Sequence, residues 1–169
     1  MNWPIATDYQ EAIQNPQHCF ADADLKSGKA KENLLGPIPI TGAFASVYQV
    51  TTPTGRWAVR FFLTQVDDNR RRYAAISNHL QNARLKYAVR FEYLERGIRI
   101  KGQWYPILKM EWIDGDPLNS FVAKYLNQPT RLLKLSREWV EMMNELKVAQ
   151  IAHGDLQHGN ILVTPGGLR

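Results

Sequence analysis

Residues 153–163 read His153-Gly154-Asp155-Leu156-Gln157-His158-Gly159-Asn160-Ile161-Leu162-Val163. The stretch sets a carboxylate and a carboxamide on one short polar loop, followed by an apolar run of strand character. An aspartate can accept the proton of an attacking hydroxyl and hold that oxygen in line. An asparagine oxygen is a hard, neutral ligand suited to Mg²⁺ that also touches phosphate. The plain alternative is a polar loop capped by Asp and Asn, which any protein can carry.

Working outward, Leu132, Leu135, Trp139, Met142 or Met143, Leu146 and Ala149 recur at helical spacing ahead of the loop. They form an apolar stripe that reads as core. Before it, Leu118, Phe121, Val122, Tyr125 and Leu126 fall on one helix face, with Asp116-Pro117 as cap and first-turn pair and Gln128-Pro129 as the stop. Beyond the loop, Pro165-Gly166-Gly167 is a turn after which a hairpin would want a second strand; the strand before it is expected to be unpaired.

Further upstream the pattern changes to strands. Residues 46–51 alternate polar with apolar, Thr52-Pro53-Thr54-Gly55 supplies a turn, and residues 56–63 form a second strand. Residues 67–83 carry Tyr73, Ile76, Leu80 and Ala83 at spacings that mark an amphipathic helix. Two more strands are expected at 91–94 and 104–110, with Lys101-Gly102-Gln103 as the turn before the second. Ahead of all this, residues 7–14 and 22–35 read as two helices of an extension preceding the main domain.

The chain has 169 residues, 44% hydrophobic and 22% charged, a globular balance. Charged residues interrupt every apolar run, so no membrane span is expected. The start, from Met1 to Asp8, has no basic segment leading into an apolar one and does not read as a secretory signal. Cys19 is the single cysteine, which excludes an internal disulfide and fits a cytoplasmic location. The formal charge is +5. Arg70-Arg71-Arg72 is its densest cluster and reads as a solvated helix face rather than a nucleic-acid contact.

The loop at 153–160 resembles the catalytic loop of the protein kinase superfamily, and the segments upstream resemble that family in the same order, over residues 38–169. Residues 40–48, Ile-Thr-Gly-Ala-Phe-Ala-Ser-Val-Tyr, stand where the family keeps its glycine-rich loop, with only Gly42 at a glycine position. Trp57-Ala58-Val59-Arg60 resembles the third-strand Val-Ala-Ile-Lys with arginine at the lysine. Leu108-Lys109-Met110-Glu111-Trp112-Ile113-Asp114-Gly115 resembles the hinge. Asn78, at the position nearest to the usual partner glutamate, is not acidic; Gly154 replaces an arginine and Gln157 a lysine.

The resemblance implies an α+β, kinase-like fold: an extension at 1–36, a small antiparallel-sheet lobe with one main helix at 37–112, and the first helices and catalytic loop of a helical lobe at 113–169. It implies Asp155 as catalytic base and Asn160 as Mg²⁺ ligand, with His153 packed beneath the loop and His158 without a role. Gly42, Ala43, Phe44, Ala45, Val47, Ala58, Arg60, Met110, Glu111 and Ile113 would contact ATP. The expected activity is ATP-dependent phosphoryl transfer to a protein Ser/Thr hydroxyl or a small-molecule acceptor, without nucleic acid or membrane. Because the family's Asp-Phe-Gly aspartate would fall after Arg169, the chain is expected to be an incomplete piece with little activity alone. Two alternatives stand beside this: a pseudokinase-like nucleotide-binding or scaffold module, and a small-molecule kinase of the aminoglycoside or choline type.

Overall fold

The computed structural model describes residues 3–65 and 68–169. The chain opens with α1 (Ala6–Ala12), where Asp8 Oδ2 accepts the Ile5 N–H at the first turn. Pro16 starts α2 (Pro16–Cys19), and Asp22 caps α3 (Ala23–Lys26) by accepting the Leu25 N–H at 2.8 Å. The helix expected over 22–35 ends there. Gly28 brings the backbone against β-structure so closely that a Cβ would lie 2.6 Å from Val50 Cγ1. The next residues are extended: β1 (Lys29–Ala30), then the hairpin β2 (Glu32–Asn33) and β3 (Gly36–Pro37). Helix propensity yields here to pairing with a distant strand, which no local pattern records.

β4 (Pro39–Thr41), β5 (Ala45–Thr52) and β6 (Gly55–Phe62) follow, with the expected turn at Pro53-Thr54. The helix α4 (Asn69–Ala83) forms where the pattern placed one, with Tyr73, Leu80 and Ala83 half-buried but Ile76 44% exposed; its expected start at Asp67 lies outside the described residues. β7 (Phe91–Ile100) and β8 (Gln103–Glu111) run longer than the sequence suggested, through a bulge between Leu94 and Ile98. All pairings are antiparallel, in the order β1-β5-β6-β8-β7, with β4 also on the β5 edge.

The chain divides into two compact units: one runs to Asn78 and resumes over Arg90–Trp112, the other comprises His79–Val89 and Ile113–Arg169. Side chains alternate across the first unit's sheet. One face carries Tyr48, Val50, Val59, Phe61 and Ile107, which are buried with Tyr9, Ile13, Cys19, Phe20 and Leu25. The first three helices therefore form the cover of this face and share its core. Tyr9 stacks on Phe61 at 4.8 Å and its hydroxyl donates to Phe62 O at 2.7 Å. Burying each large side chain of this kind stabilises by about 2 kcal/mol. On the opposite face Tyr73 of α4 packs against Phe62, Phe91 and Tyr93.

In the second unit, β9 (Asp116–Pro117) precedes α5 (Leu118–Lys124) and α6 (Pro129–Val148). Asp116 does not cap α5; it pairs across to Val163 of β10 (Leu162–Thr164), and the Leu118 N–H donates to Ile161 O. Gly115 permits this approach, since a Cβ there would meet Val163 O at 3.0 Å. β10 is paired on its other side by β11 (Gly167–Leu168), so the strand before the Pro-Gly-Gly turn is not left open. Leu135, Met142 and Leu146 of α6 are buried with Tyr87, Ile161, Val163 and Leu168. Among the described residues no helix is long and apolar enough to cross a membrane.

Candidate active site

The loop after α6 is braced by its own polar groups. Gly154 takes φ +77°, a left-handed conformation that side chains disfavour, with nothing near its Cα to clash. That backbone conformation accounts for a glycine at this position. The Asp155 N–H donates to His153 Nδ1 at 3.3 Å. His153 is exposed beside the loop, not packed beneath it, and steadies the backbone through this bond.

Asn160 closes the loop. Its Nδ2 donates to Asp155 Oδ2 at 2.8 Å and to Asp155 O at 3.0 Å, and its own N–H donates to Gln157 O at 2.9 Å in a short 3₁₀ turn. Gln157 Nε2 adds a third contact, 3.3 Å from Asp155 Oδ2. Both donors converge on one carboxylate oxygen. Asp155 Oδ1 and Asn160 Oδ1 have no hydrogen-bond partner among the described residues, and both side chains are exposed. The loop thus presents a fixed carboxylate with one oxygen open to a hydroxyl, beside a carboxamide oxygen open to a cation. Among the described residues no group of three or more His, Cys, Asp or Glu could hold a metal by itself. A Mg²⁺ ion would fit here in company with phosphate oxygens, since this ion commonly takes one or two protein oxygens and completes its shell from phosphate and water.

The first unit brings together four of the residues expected to meet ATP. Val47 lies opposite Arg60, and Ala58 opposite Met110, so all four share the face that α4 packs on and all are half-buried. The Arg60 Nε is buried without a hydrogen-bond partner, its guanidinium 5.7 Å above the Phe62 ring. No carboxylate among the described residues pairs with it, and Asn78 is exposed. Gly42, Ala43 and Phe44 form the exposed turn between β4 and β5, closed by the Gly42 N–H donating to Ala45 O at 2.9 Å. Ala45 itself is buried at the start of β5. The Glu111 N–H is already given to Arg90 O. Ile113 belongs to the second unit and is half-buried there.

Two features escaped the sequence reading. Lys109 is buried between Asp22 and Asp24, and the only local hint was a lysine inside a strand pattern. Gln157 supports Asp155 directly, a role that a carboxamide two residues on can be read to permit. No protein-family model matches the chain, and no curated protein matches it.

Proposed function

We propose that the protein is an ATP-dependent phosphotransferase of the protein-kinase type, acting on a Ser/Thr hydroxyl. The observation that carries this reading is the convergence of Asn160 Nδ2 and Gln157 Nε2 on Asp155 Oδ2, which leaves Oδ1 open on an exposed loop. In the reaction the acceptor's O–H proton passes to the Asp155 carboxylate as its oxygen bonds to the γ-phosphorus. The bond to the β–γ bridging oxygen breaks, and ADP leaves with that electron pair. Mg²⁺, when bound, neutralises the charge developing on the phosphate oxygens. Asn160 Oδ1 is the protein atom offered to it. Arg60, with its unpaired buried Nε, is the cation offered to a nucleotide phosphate.

A second reading, a nucleotide-binding module without catalysis, is favoured by one observation. Among the described residues no carboxylate pairs with Arg60, whose buried Nε has no hydrogen-bond partner, whereas the resembled family keeps such a pair. Titrating ATP into the ¹⁵N-labelled full chain, with and without Mg²⁺, separates the two. Phosphotransfer requires that Asp155 and Asn160 respond to ATP only when Mg²⁺ is present, and that Asn160→Ala removes the Mg²⁺ effect. ATP binding that ignores Mg²⁺ supports the second reading. Absence of ATP binding at millimolar concentration overturns both.

A further inference from the structure

The second unit contains a cavity of about 510 Å³ that the phosphoryl-transfer reading does not use. Its floor is apolar, from Leu135 of α6 and Val163 of β10, and its wall is aromatic, from Phe121 of α5 and Tyr125 just after that helix. Those two rings lie 4.6 Å apart at 54°. The size falls within the range of small-molecule sites, and an apolar floor with a few polar groups at the rim is their usual construction.

The rim decides which ligand fits. Both carboxylates there are already matched: Asp116 Oδ2 takes Lys124 Nζ at 3.3 Å, and Glu138 Oε1 has Lys134 Nζ at 3.6 Å. Arg131 differs from the other cations. Its guanidinium carbon lies over the Tyr125 ring, 4.3 Å from the centroid, and it makes no ion pair among the described residues. A cation–π contact uses none of the guanidinium N–H donors, so these stay available to a carboxylate. The Tyr125 contact places the guanidinium at the cavity rim before any ligand arrives. A cationic ligand would find no free carboxylate. A neutral one would gain nothing from the guanidinium charge.

We propose that this cavity is a binding site for an organic carboxylate with an aromatic or branched apolar body. The carboxylate lies on the Arg131 edge, and the body fills the space between the Phe121 and Tyr125 rings and the Leu135–Val163 floor. The site is independent of Asp155 and Asn160.

Three probes of one shape test it: phenylacetate, phenethylamine and benzyl alcohol, each titrated to tens of millimolar against the isotope-labelled full chain. Phenylacetate is expected to shift the Arg131 Nε–H and the Val163 methyl signals saturably. Phenethylamine should leave them unmoved, and benzyl alcohol should bind at least about ten-fold more weakly, as loss of one charge-assisted contact implies. Arg131→Gln should weaken phenylacetate by a similar factor, and Arg131→Lys less. Arg131 is exposed, so both variants should keep the parent melting temperature. Equal responses to the three probes, phenylacetate binding untouched by Arg131→Gln, or no saturable shift from phenylacetate would each overturn the proposal.

Discussion

Lys109 Nζ lies 3.1 Å from Asp22 Oδ1, across 87 residues of sequence, and this contact ties the N-terminal cover to the sheet. Asp24 Oδ2 is 3.2 Å away on the other side, and the Trp57 ring faces the ammonium at 4.4 Å. The lysine is only 8% exposed, so its loss strands two half-desolvated carboxylates. Removing one member of such a group costs about 3–5 kcal/mol. Lys109→Ala is therefore expected to lower urea-unfolding stability by that order. The triple variant Lys109→Met with Asp22→Asn and Asp24→Asn should recover most of it, because asparagine still caps α3. A loss under about 1 kcal/mol for Lys109→Ala would mean that water screens the cluster as at an ordinary surface pair.

The same cluster sets an acid limit. Burial pushes the Asp24 carboxyl up, but hydrogen bonds from Thr54, Thr52 and Lys109, with the lysine charge, outweigh it and hold Asp24 below the usual carboxylate range. Asp8 is held low as well, first by the Lys101 hydrogen bond and then by the Ile5 N–H. A carboxyl whose folded pKa is depressed contributes stability that is present above its unfolded pKa and is lost as pH falls through the folded one. Urea midpoints should stay level from about pH 7 to pH 5 on this account and fall below about pH 4. Asp24→Asn should start lower and flatten that acid limb. An unchanged limb in the variant would remove Asp24 from its origin. The exposed Lys101 makes the share of Asp8 smaller.

Ser46 is fully buried opposite Phe61, and its hydroxyl has no hydrogen-bond partner. An unpaired buried hydroxyl costs about 1–3 kcal/mol against an apolar group that fits the same space. Ser46→Ala should therefore raise the melting temperature by about 2–4 °C for each kcal/mol recovered in a chain of this size. A fall in melting temperature would show that the hydroxyl is satisfied in solution, by a trapped water or a rotated bond.

What the sequence revealed and what it hid follow from the range of the interactions. The β5–β6 hairpin was legible because its turn and its alternation are local. The stripe of α6 was legible to within one residue: Met142 is 3% exposed and Met143 39%, a choice that periodicity left open. The loop at 153–160 was legible because Asp155 and Asn160 meet over five residues. The short strand at Lys29–Ala30 was not, since it exists only through Val50 and Thr51. Nor was the burial of Lys109, whose partners lie 85 and 87 residues away and which reads as one more surface charge. The Arg131 cavity hid for the same reason, because β9, α5, α6 and β10 each supply part of it.

The contact between Asn160 Nδ2 and Asp155 Oδ2, at 2.8 Å, gives the sharpest test of the loop's chemistry. If Asn160 both fixes the carboxylate and offers its own oxygen to Mg²⁺, two substitutions must behave differently. Asn160→Ala removes the donor and the ligand together, so ATP binding should persist but lose its dependence on Mg²⁺. Asn160→Asp removes the donor and sets a second carboxylate against Asp155. Two carboxylates at that separation cannot both ionise freely, so one should titrate at least about one unit above the ordinary range. The pair should also bind a divalent cation without nucleotide, because two carboxylates make a site where one carboxylate and one amide do not. Mn²⁺ line broadening at residues 155–160, measured without ATP, is expected in Asn160→Asp and absent in the parent and in Asn160→Ala. Broadening in all three would place the cation on other groups and remove Asn160 from metal binding. Broadening in none would mean that the loop opens once the Asn160 amide is lost, which makes its hydrogen bonds, and not its open oxygen, the reason for an asparagine there.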